Sequence, residues 1–160
     1  VVMPGTPRIE GVYDSKALSE RQRELLYDQI LRHAVFVGTG RAEAREIDEI
    51  NILQATKLAM RRAAAGAPVR LFLIDAVTNV GLDGEERAII HGDAISYAIA
   101  AASIVAKVTR DREMLTLDRL YPAFGFASHK GYGTKAHVEA VRAFGPCPEH
   151  RMTFLKRILR

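Results

Sequence analysis

The sequence predicts an α/β fold, in which helices pack on a sheet that contains parallel strands. Two segments indicate this fold. Residues Val69 to Ile74 form an almost continuous apolar run, as in strands that are buried on both faces of such a sheet. Residues Ala94 to Met114 contain no proline and are rich in alanine, which favours a helix that can approach a sheet closely. The two segments therefore predict a sheet with a buried central helix packed against it.

The patterns on either side of these segments support the same fold class. Ser19 and Asn51 are suitable N-caps, because their side-chain oxygens can accept hydrogen bonds from the first turn of a helix. Leu25, Leu26 and Ile30 are predicted to share the buried face of the first helix. The predicted helices run from Glu20 to about His33, from Ala42 to Ile50, from Asn51 to Ala65 and from about Lys135 to Phe144, and the further predicted strands cover Ala34 to Thr39 and Arg87 to His91.

Length and composition are those of one globular domain. A chain of 160 residues can bury roughly 68–70% of its unfolded surface as a single domain. We find no repeat and no linker, and we predict one domain over residues 1–160. The 23 lysines and arginines exceed the 19 aspartates and glutamates, which gives a net charge of +4. This mild excess permits nucleic-acid binding without requiring it.

Cysteine content and hydropathy indicate the compartment. Cys147 is the only cysteine, so the chain can form neither an internal disulfide nor a multi-cysteine zinc site. A free thiol suits a reducing cytoplasm. The longest apolar stretch is interrupted at Tyr97 and Ser103, short of the roughly 20 residues that a membrane span needs. We therefore expect a cytoplasmic protein with no membrane partner.

Two aspartates follow predicted strands. Asp75 comes directly after the apolar strand, at the edge where open α/β sheets bind ligands, although a residue there can also hydrogen-bond within its own turn. Asp93 begins the central helix, where an aspartate is also a common N-cap worth about 1 kcal/mol. Carboxylate oxygens suit hard divalent cations such as Mg²⁺ or Mn²⁺. The pair is therefore a candidate metal site.

A glycine-rich segment from Ser128 to Thr134 is the third candidate. Gly131 and Gly133 flank Tyr132, and such a turn can present an aromatic ring to a sugar or a base. Lys130 beside it can contact a phosphate. The alternative is a glycine turn whose tyrosine packs on the core.

The remaining polar residues give weaker signals. The five histidines show no spacing typical of metal ligands, and we interpret most of them as surface or structural residues. Asp83, Glu85 and Glu86 are interpreted as a solvated loop rather than a second acidic site.

Taken together, the ordered motifs of this chain resemble those of ribonuclease HII, the prokaryotic type 2 ribonuclease H. The resemblance covers nearly the whole chain, and six motifs in order are far more specific than any one of them. They lie at Asp14–Ser19, Ile47–Ala55, Leu73–Asp75, Gly92–Ala94 with Ala101–Asp111, Gly125–Thr134 and Gly145–Arg151.

The resemblance implies an RNase H-like fold with a mixed, five-stranded central sheet flanked by helices. It implies an endonuclease that cleaves the RNA strand of RNA–DNA hybrids, and single ribonucleotides embedded in duplex DNA, with a role in DNA replication and repair. The family mechanism uses two divalent ions, Mn²⁺ or Mg²⁺, held by four carboxylates, and it leaves 5′-phosphate and 3′-hydroxyl ends. We expect the protein to be a monomer.

The resemblance also implies roles for individual residues. Asp75 and Asp93 match the third and fourth catalytic, metal-binding carboxylates. Tyr132 matches the tyrosine that stacks on the deoxyribose 3′ of the ribonucleotide. Three lysines, Lys107, Lys16 and Lys130, match cations near the nucleic-acid backbone.

The chain departs from the family pattern in two ways. It contains no Asp-Glu-Ala-Gly-Arg-Gly segment, which in the family supplies the first strand and the first two carboxylates. Because the chain begins at Val1, just after the expected position of that segment, we expect the first strand to be missing here and encoded upstream, and metal to bind weakly without it. Ala76 also follows Asp75 where the family commonly has glycine.

Two other functions compete with the nuclease. The first is a non-catalytic module that binds RNA–DNA hybrids or duplexes. The second is an α/β interaction domain with no nucleic-acid role, which predicts no salt-dependent binding to a hybrid.

Overall fold

The computed structural model describes residues 1–156, 158 and 159. They form two compact units, one of Val1–Arg41 with Thr56–Val108 and one of Ala42–Ala55 with the described residues from Thr109 onward. The helices are α1 (Glu20–His33), α2 (Ala44–Ala64), α3 (Gly92–Ile95), α4 (Tyr97–Leu120), α5 (Phe126–His129), α6 (Lys135–Phe144) and α7 (Met152–Leu155), with a 3₁₀ turn at Pro122–Phe124, and the strands are β1 (Leu71–Asp75) and β2 (Glu85–Ile89).

The first unit contains both kinds of strand pairing. β1 and β2 pair in parallel, with Leu71 opposite Glu85 and Asp75 opposite Ile89. Val2 and Phe36 form an antiparallel bridge. The predicted apolar strand and the predicted strand after it are therefore confirmed, each within about two residues.

Strand β1 is less buried than predicted. Of its side chains only Ile74 is buried, while Leu71 and Leu73 are 42% and 38% exposed. Among the described residues β1 pairs only with β2, so the faces and the other edge of the strand are covered incompletely. The prediction of burial on both faces is wrong for these residues.

The strand predicted over Ala34–Thr39 is reduced to the single bridge at Phe36. Its continuation packs closely against α2 instead of pairing. A Cβ added to Gly40 would lie 2.0 Å from the Ala59 carbonyl oxygen, so the backbone there leaves no room for a side chain. The sheet of the described residues is accordingly smaller than the expected five strands.

The connection between β1 and β2 is short for a parallel pair, which usually needs a dozen or more residues. It is held by Glu86, whose carboxylate accepts hydrogen bonds from the backbone nitrogens of Val80, Gly81 and Leu82 at 2.7–2.8 Å. The bonds from Leu82 and Val80 hold the pKa of Glu86 below its usual range. Val80 is buried, and Glu86 therefore orders the acidic loop that was expected only to be solvated.

Local signals predicted α1 well. Ser19 caps it, and Ser19 and Gln22 form a reciprocal capping box. Leu26 and Ile30 are buried as expected, but Leu25 is 56% exposed. The core of this unit consists of Leu18, Leu26, Ile30, Ala101, Ile104, Val105 and Val108.

The helical backbone is interrupted at two places, within α2 and at the start of the predicted central helix. Asn51 interrupts α2 with a φ of 68°, and its side chain accepts hydrogen bonds from Leu53 and Gln54, which confirms it as a cap. The central helix begins later than predicted, because Ser96 is extended and separates α3 from α4.

The second unit has its own core of Met114, Phe124, Phe126, Val141 and Leu155. The prediction for α6 is confirmed, with Thr134 as its N-cap. Asp48 accepts hydrogen bonds from the backbone nitrogens of Met152 and Thr153 at 2.7 and 2.9 Å, and so closes the start of α7. None of the helices in the described ranges has both the length and the apolar character needed to cross a membrane.

Candidate functional site

Asp75 lies at the carboxyl end of β1, where the chain turns sharply. The Val77 backbone nitrogen donates to the Asp75 carbonyl at 2.7 Å, and Ala76 between them has a φ of 57°. The Asp75 carboxylate does not bond within this turn. Its Oδ1 accepts a hydrogen bond of 2.9 Å from the backbone nitrogen of Gly92, 17 residues later. The side chain thus joins the end of β1 to the start of α3.

Close approach at Gly92 brings Asp93 beside that strand end. A Cβ on Gly92 would lie 2.5 Å from Ile99 Cδ1 and 3.5 Å from the Asp75 Cα. His91 is the N-cap of α3, so Asp93 is not the helix cap that the alternative interpretation required. Its carboxylate is buried in the first turn of α3, next to the residue that binds Asp75.

Lys16 supplies the counter-charge. Its Nζ lies 2.9 Å from Asp93 Oδ2, and the side chains of Lys16 and Asp93 are 77% and 6% exposed. The hydrogen bond from Lys16 lowers the pKa of Asp93, against the effect of burial. The same bond, followed by the charges of Asp93, Asp14 and Asp75, raises the pKa of Lys16. The ammonium group therefore pairs with Asp93 and is also subject to the negative charges of Asp14 and Asp75.

Sequence reasoning missed Asp14 as a member of this group. Its Oδ1 accepts a hydrogen bond of 2.8 Å from the Lys16 backbone nitrogen, which fixes the turn that directs Lys16. The signal was present in the Asp-Ser-Lys order, because an aspartate commonly bonds the backbone two residues on.

The glycine-rich segment presents Tyr132 to solvent. The residue is 69% exposed, so its ring does not pack on the core as the alternative interpretation held. The Tyr132 backbone nitrogen donates to the His129 carbonyl at 2.9 Å, and Thr134 donates to the Tyr132 carbonyl at 2.8 Å. Lys130, partly exposed, has a φ of 52° in the same turn. Lys107, also partly exposed, lies on α4 in the first unit.

Behind Tyr132, three buried histidines form a cluster that the sequence did not indicate. The rings of His129 and His137 stack with centroids 4.2 Å apart, and Nε2 of His137 lies 3.0 Å from Nε2 of His150. Burial lowers the pKa of both His137 and His150. Their separations of 8 and 13 residues match no local spacing rule, and only the fold brings them together.

Two arginines lie near this cluster, and one of them, Arg151, was also missed as a site candidate. Burial, followed by the charge of Arg110, lowers the pKa of Arg151. A Cβ on Gly131 would lie 3.5 Å from Arg110 Nη2, so this guanidinium borders the turn that carries Tyr132. The surroundings of the turn are therefore cationic.

The donor set for a metal is small. Within the part of the chain that the structure describes, no group of three or more histidine, cysteine, aspartate or glutamate side chains could hold a metal ion. Asp75 and Asp93 nevertheless fit a hard cation, because Mg²⁺ often binds one or two carboxylates and completes its shell with water and substrate phosphate.

Comparison with known proteins decides the family. The family model described as Ribonuclease HII matches residues 8–158. The chain belongs to the ribonuclease HII family. It is 48% identical over 161 residues to the ribonuclease HII of Acetivibrio thermocellus, covering 99% of this chain and 63% of that protein. It is 52% identical over 156 residues to the ribonuclease HII of Shewanella pealeana, covering 96% of this chain and 76% of that protein.

A solved structure agrees with the family assignment. The crystal structure of the ribonuclease H2 from Pyrococcus horikoshii OT3 matches with a TM-score of 0.69 and 26% identity, over 93% of this chain and 80% of that one. This similarity confirms the RNase H-like α/β fold. The chain spans 63% of the length of the Acetivibrio thermocellus ribonuclease HII.

Because of the ion pair between Lys16 and Asp93, we expect the free energy of unfolding to decrease in acid. Because the pKa of Asp93 is depressed in the folded state, its contribution is present above about pH 4, the unfolded value, and is lost as the pH falls through the folded pKa. We expect Lys16→Met to move this loss to higher pH, as measured by urea unfolding between pH 2 and 7.

Lys135→Met is the matched control, because the pair of Lys135 with Glu139 is exposed and 3.8 Å long. Acid profiles of the two variants that coincide would contradict the assignment of the depressed pKa to Lys16.

Ala76 predicts a stabilising substitution. An L residue at its φ of 57° is strained, whereas glycine adopts this conformation freely. After the greater unfolded-state entropy of glycine is subtracted, we expect Ala76→Gly to raise the free energy of unfolding by about 0.5–1 kcal/mol. Thermal unfolding measures this change in the free energy of unfolding. The control is Ala106→Gly, at an exposed position in the interior of α4, which should instead destabilise the protein by about 1 kcal/mol. Destabilisation by both substitutions would show that the turn is not strained.

Proposed function

We propose that this protein contributes to an endoribonuclease that cleaves the RNA strand of RNA–DNA hybrids, and single ribonucleotides embedded in duplex DNA. The products carry 5′-phosphate and 3′-hydroxyl ends. The observation that carries the proposal is the hydrogen bond from Gly92 to Asp75, which holds Asp75 beside the buried carboxylate of Asp93. Membership of the ribonuclease HII family supports the same substrate class. We also propose that it acts as a cytoplasmic monomer.

Asp75 and Asp93 would hold the divalent ions, Mn²⁺ or Mg²⁺, as two of the four carboxylates in the set. Ions bound there would activate the attacking water and neutralise charge on the leaving 3′ oxygen. The hydrogen bond from Gly92 fixes the Asp75 carboxylate and the first turn of α3 carries Asp93, so both acids would offer oxygens to an ion from fixed positions.

Lys16 keeps the carboxylates electrically balanced. A buried carboxylate without a cation is costly, and the ammonium of Lys16 satisfies Asp93 directly. Because most of the Lys16 side chain is exposed, it could turn to a backbone phosphate when a divalent ion bound at Asp93 supplies the counter-charge. Lys16 would thus pair with Asp93 in the free protein and contact a phosphate in the substrate complex.

Tyr132, Lys130 and Lys107 form the proposed nucleic-acid contacts. The exposed ring of Tyr132 can stack on the deoxyribose that follows the ribonucleotide, which would report the RNA–DNA junction. The lysines would contact phosphates, which adds affinity without sequence preference.

An alternative function is a non-catalytic module that binds hybrids or duplexes. The absence of a group of three or more metal-binding side chains within residues 1–156, 158 and 159 favours it. It retains the roles of Tyr132 and the lysines, and differs only in predicting no cleavage.

Cleavage of a duplex with one ribonucleotide in Mn²⁺ tests the nuclease proposal. We expect cleavage that requires the divalent ion, because Asp75 and Asp93 would hold it beside the phosphodiester. Asp75→Asn or Asp93→Asn should lower the rate at least about a hundredfold.

Asp83→Asn, in the exposed acidic loop, is the control and should retain the rate. Cleavage that Asp75→Asn and Asp93→Asn leave unchanged would overturn their assignment as metal-binding carboxylates. Binding of the duplex without cleavage would favour the binding module.

The role of Tyr132 is tested by equilibrium binding in EDTA, which prevents cleavage. Tyr132→Ala should reduce the preference for a ribonucleotide-containing duplex over an all-DNA duplex by about tenfold, since base or sugar stacking on a ring contributes about 1–3 kcal/mol. Tyr132→Phe retains the ring and should stay within about twofold. Equal losses in the two variants would point to the hydroxyl group and against stacking.

A further inference from the structure

The backbone of Tyr132 is hydrogen-bonded on both sides although its ring is exposed. Its nitrogen donates to the His129 carbonyl, and its carbonyl accepts from Thr134 and from Nδ1 of His137, the last at 2.9 Å. The preceding residue is held as well, because the Gly131 nitrogen donates to Nδ1 of His129 at 3.2 Å. Two histidine rings therefore hold two successive residues of the turn.

These bonds fix the tautomer of each ring. Nε2 of His129 lies 2.7 Å from the Phe124 carbonyl, so that nitrogen carries the proton and Nδ1 is free to accept from Gly131. Nδ1 of His137 must carry a proton in order to donate to the Tyr132 carbonyl. In its neutral form, His137 then has a bare Nε2 facing His150.

His150 completes the chain of rings. Its Nδ1 accepts from the Cys147 backbone nitrogen at 3.0 Å, so its Nε2 carries the proton and donates to Nε2 of His137. All three rings are satisfied while uncharged. Stacking of His137 on His129 and the charge of nearby Arg151 both oppose protonation of His137, which agrees with a pKa that burial lowers first.

We propose that His137, supported by His129 and His150, is a positioning residue that fixes the Tyr132 turn so that the exposed ring is held ready for the sugar at an RNA–DNA junction. The proposal rests on the proposed function of Tyr132. A turn that is already ordered loses less conformational entropy when substrate binds. The affinity therefore increases for the substrate that contacts the Tyr132 ring.

Two amide substitutions of His137 separate positioning from packing. An asparagine amide reaches the position of Nδ1 and can still donate to the Tyr132 carbonyl. A glutamine amide reaches the position of Nε2, and so keeps the contact with His150 but loses the bond to Tyr132. The two variants retain a polar side chain at the same buried position.

Binding in EDTA and hydrogen exchange are the two measurements. We expect His137→Gln to lower the preference for the ribonucleotide-containing duplex about three- to tenfold, and His137→Asn to stay within about twofold, because one hydrogen bond is at stake. Amide exchange of residues 130–134 should be faster in His137→Gln than in His137→Asn. On a Tyr132→Ala background, His137→Gln should cause no further loss of preference.

The outcomes distinguish this proposal from the function on which it rests. If Tyr132→Ala does not change the preference, the role of Tyr132 in the proposed function fails, and exchange in the turn alone decides whether His137 fixes it. If Tyr132→Ala loses the preference while the asparagine and glutamine variants are equal in binding and exchange, the positioning role is overturned. Should His137→Gln fail to fold, His129→Gln against His129→Asn repeats the test, because asparagine retains an acceptor for Gly131.

Discussion

The hydrogen bond between the Gly92 nitrogen and the Asp75 carboxylate is the contact on which the candidate site depends. It joins the carboxyl end of β1 to the helical turn that follows β2, and the parallel register brings those two ends to the same edge. The missing side chain of Gly92 allows the approach. Asp93 is the next residue, so the geometry of one acid sets the position of the other.

Charge balance is the second constraint. Asp93 is almost fully buried, and a buried carboxylate is tolerated only when a cation or several donors satisfy it. Lys16 meets this need from the surface, where its own side chain stays mostly solvated. The ion pair with Lys16 therefore favours the ionised form of Asp93 although this carboxylate is buried.

Sequence could predict what is decided locally. The caps at Ser19 and Asn51 depend on a few neighbouring residues, and the helix bounds predicted from them agree with the structure. Exposure of Leu25 and the loss of the strand after Ala34 depend on which surfaces meet in three dimensions, which periodicity does not encode. Asp75 and Asp93 were found because each follows a strand. The histidine cluster has no such marker, since its members become neighbours only through the fold of the second unit.

The two candidate features use charge in opposite ways. The carboxylates are ionised and need an outside cation, whereas the turn that carries Tyr132 is held by rings that are satisfied while neutral. A neutral support adds no charge of its own to the surface. Lys130 lies in the same turn as Tyr132 and the Arg110 guanidinium borders it, so the groups around Tyr132 are cationic. In the proposed complex, the ring of Tyr132 would meet a sugar while these cations contact the flanking phosphates.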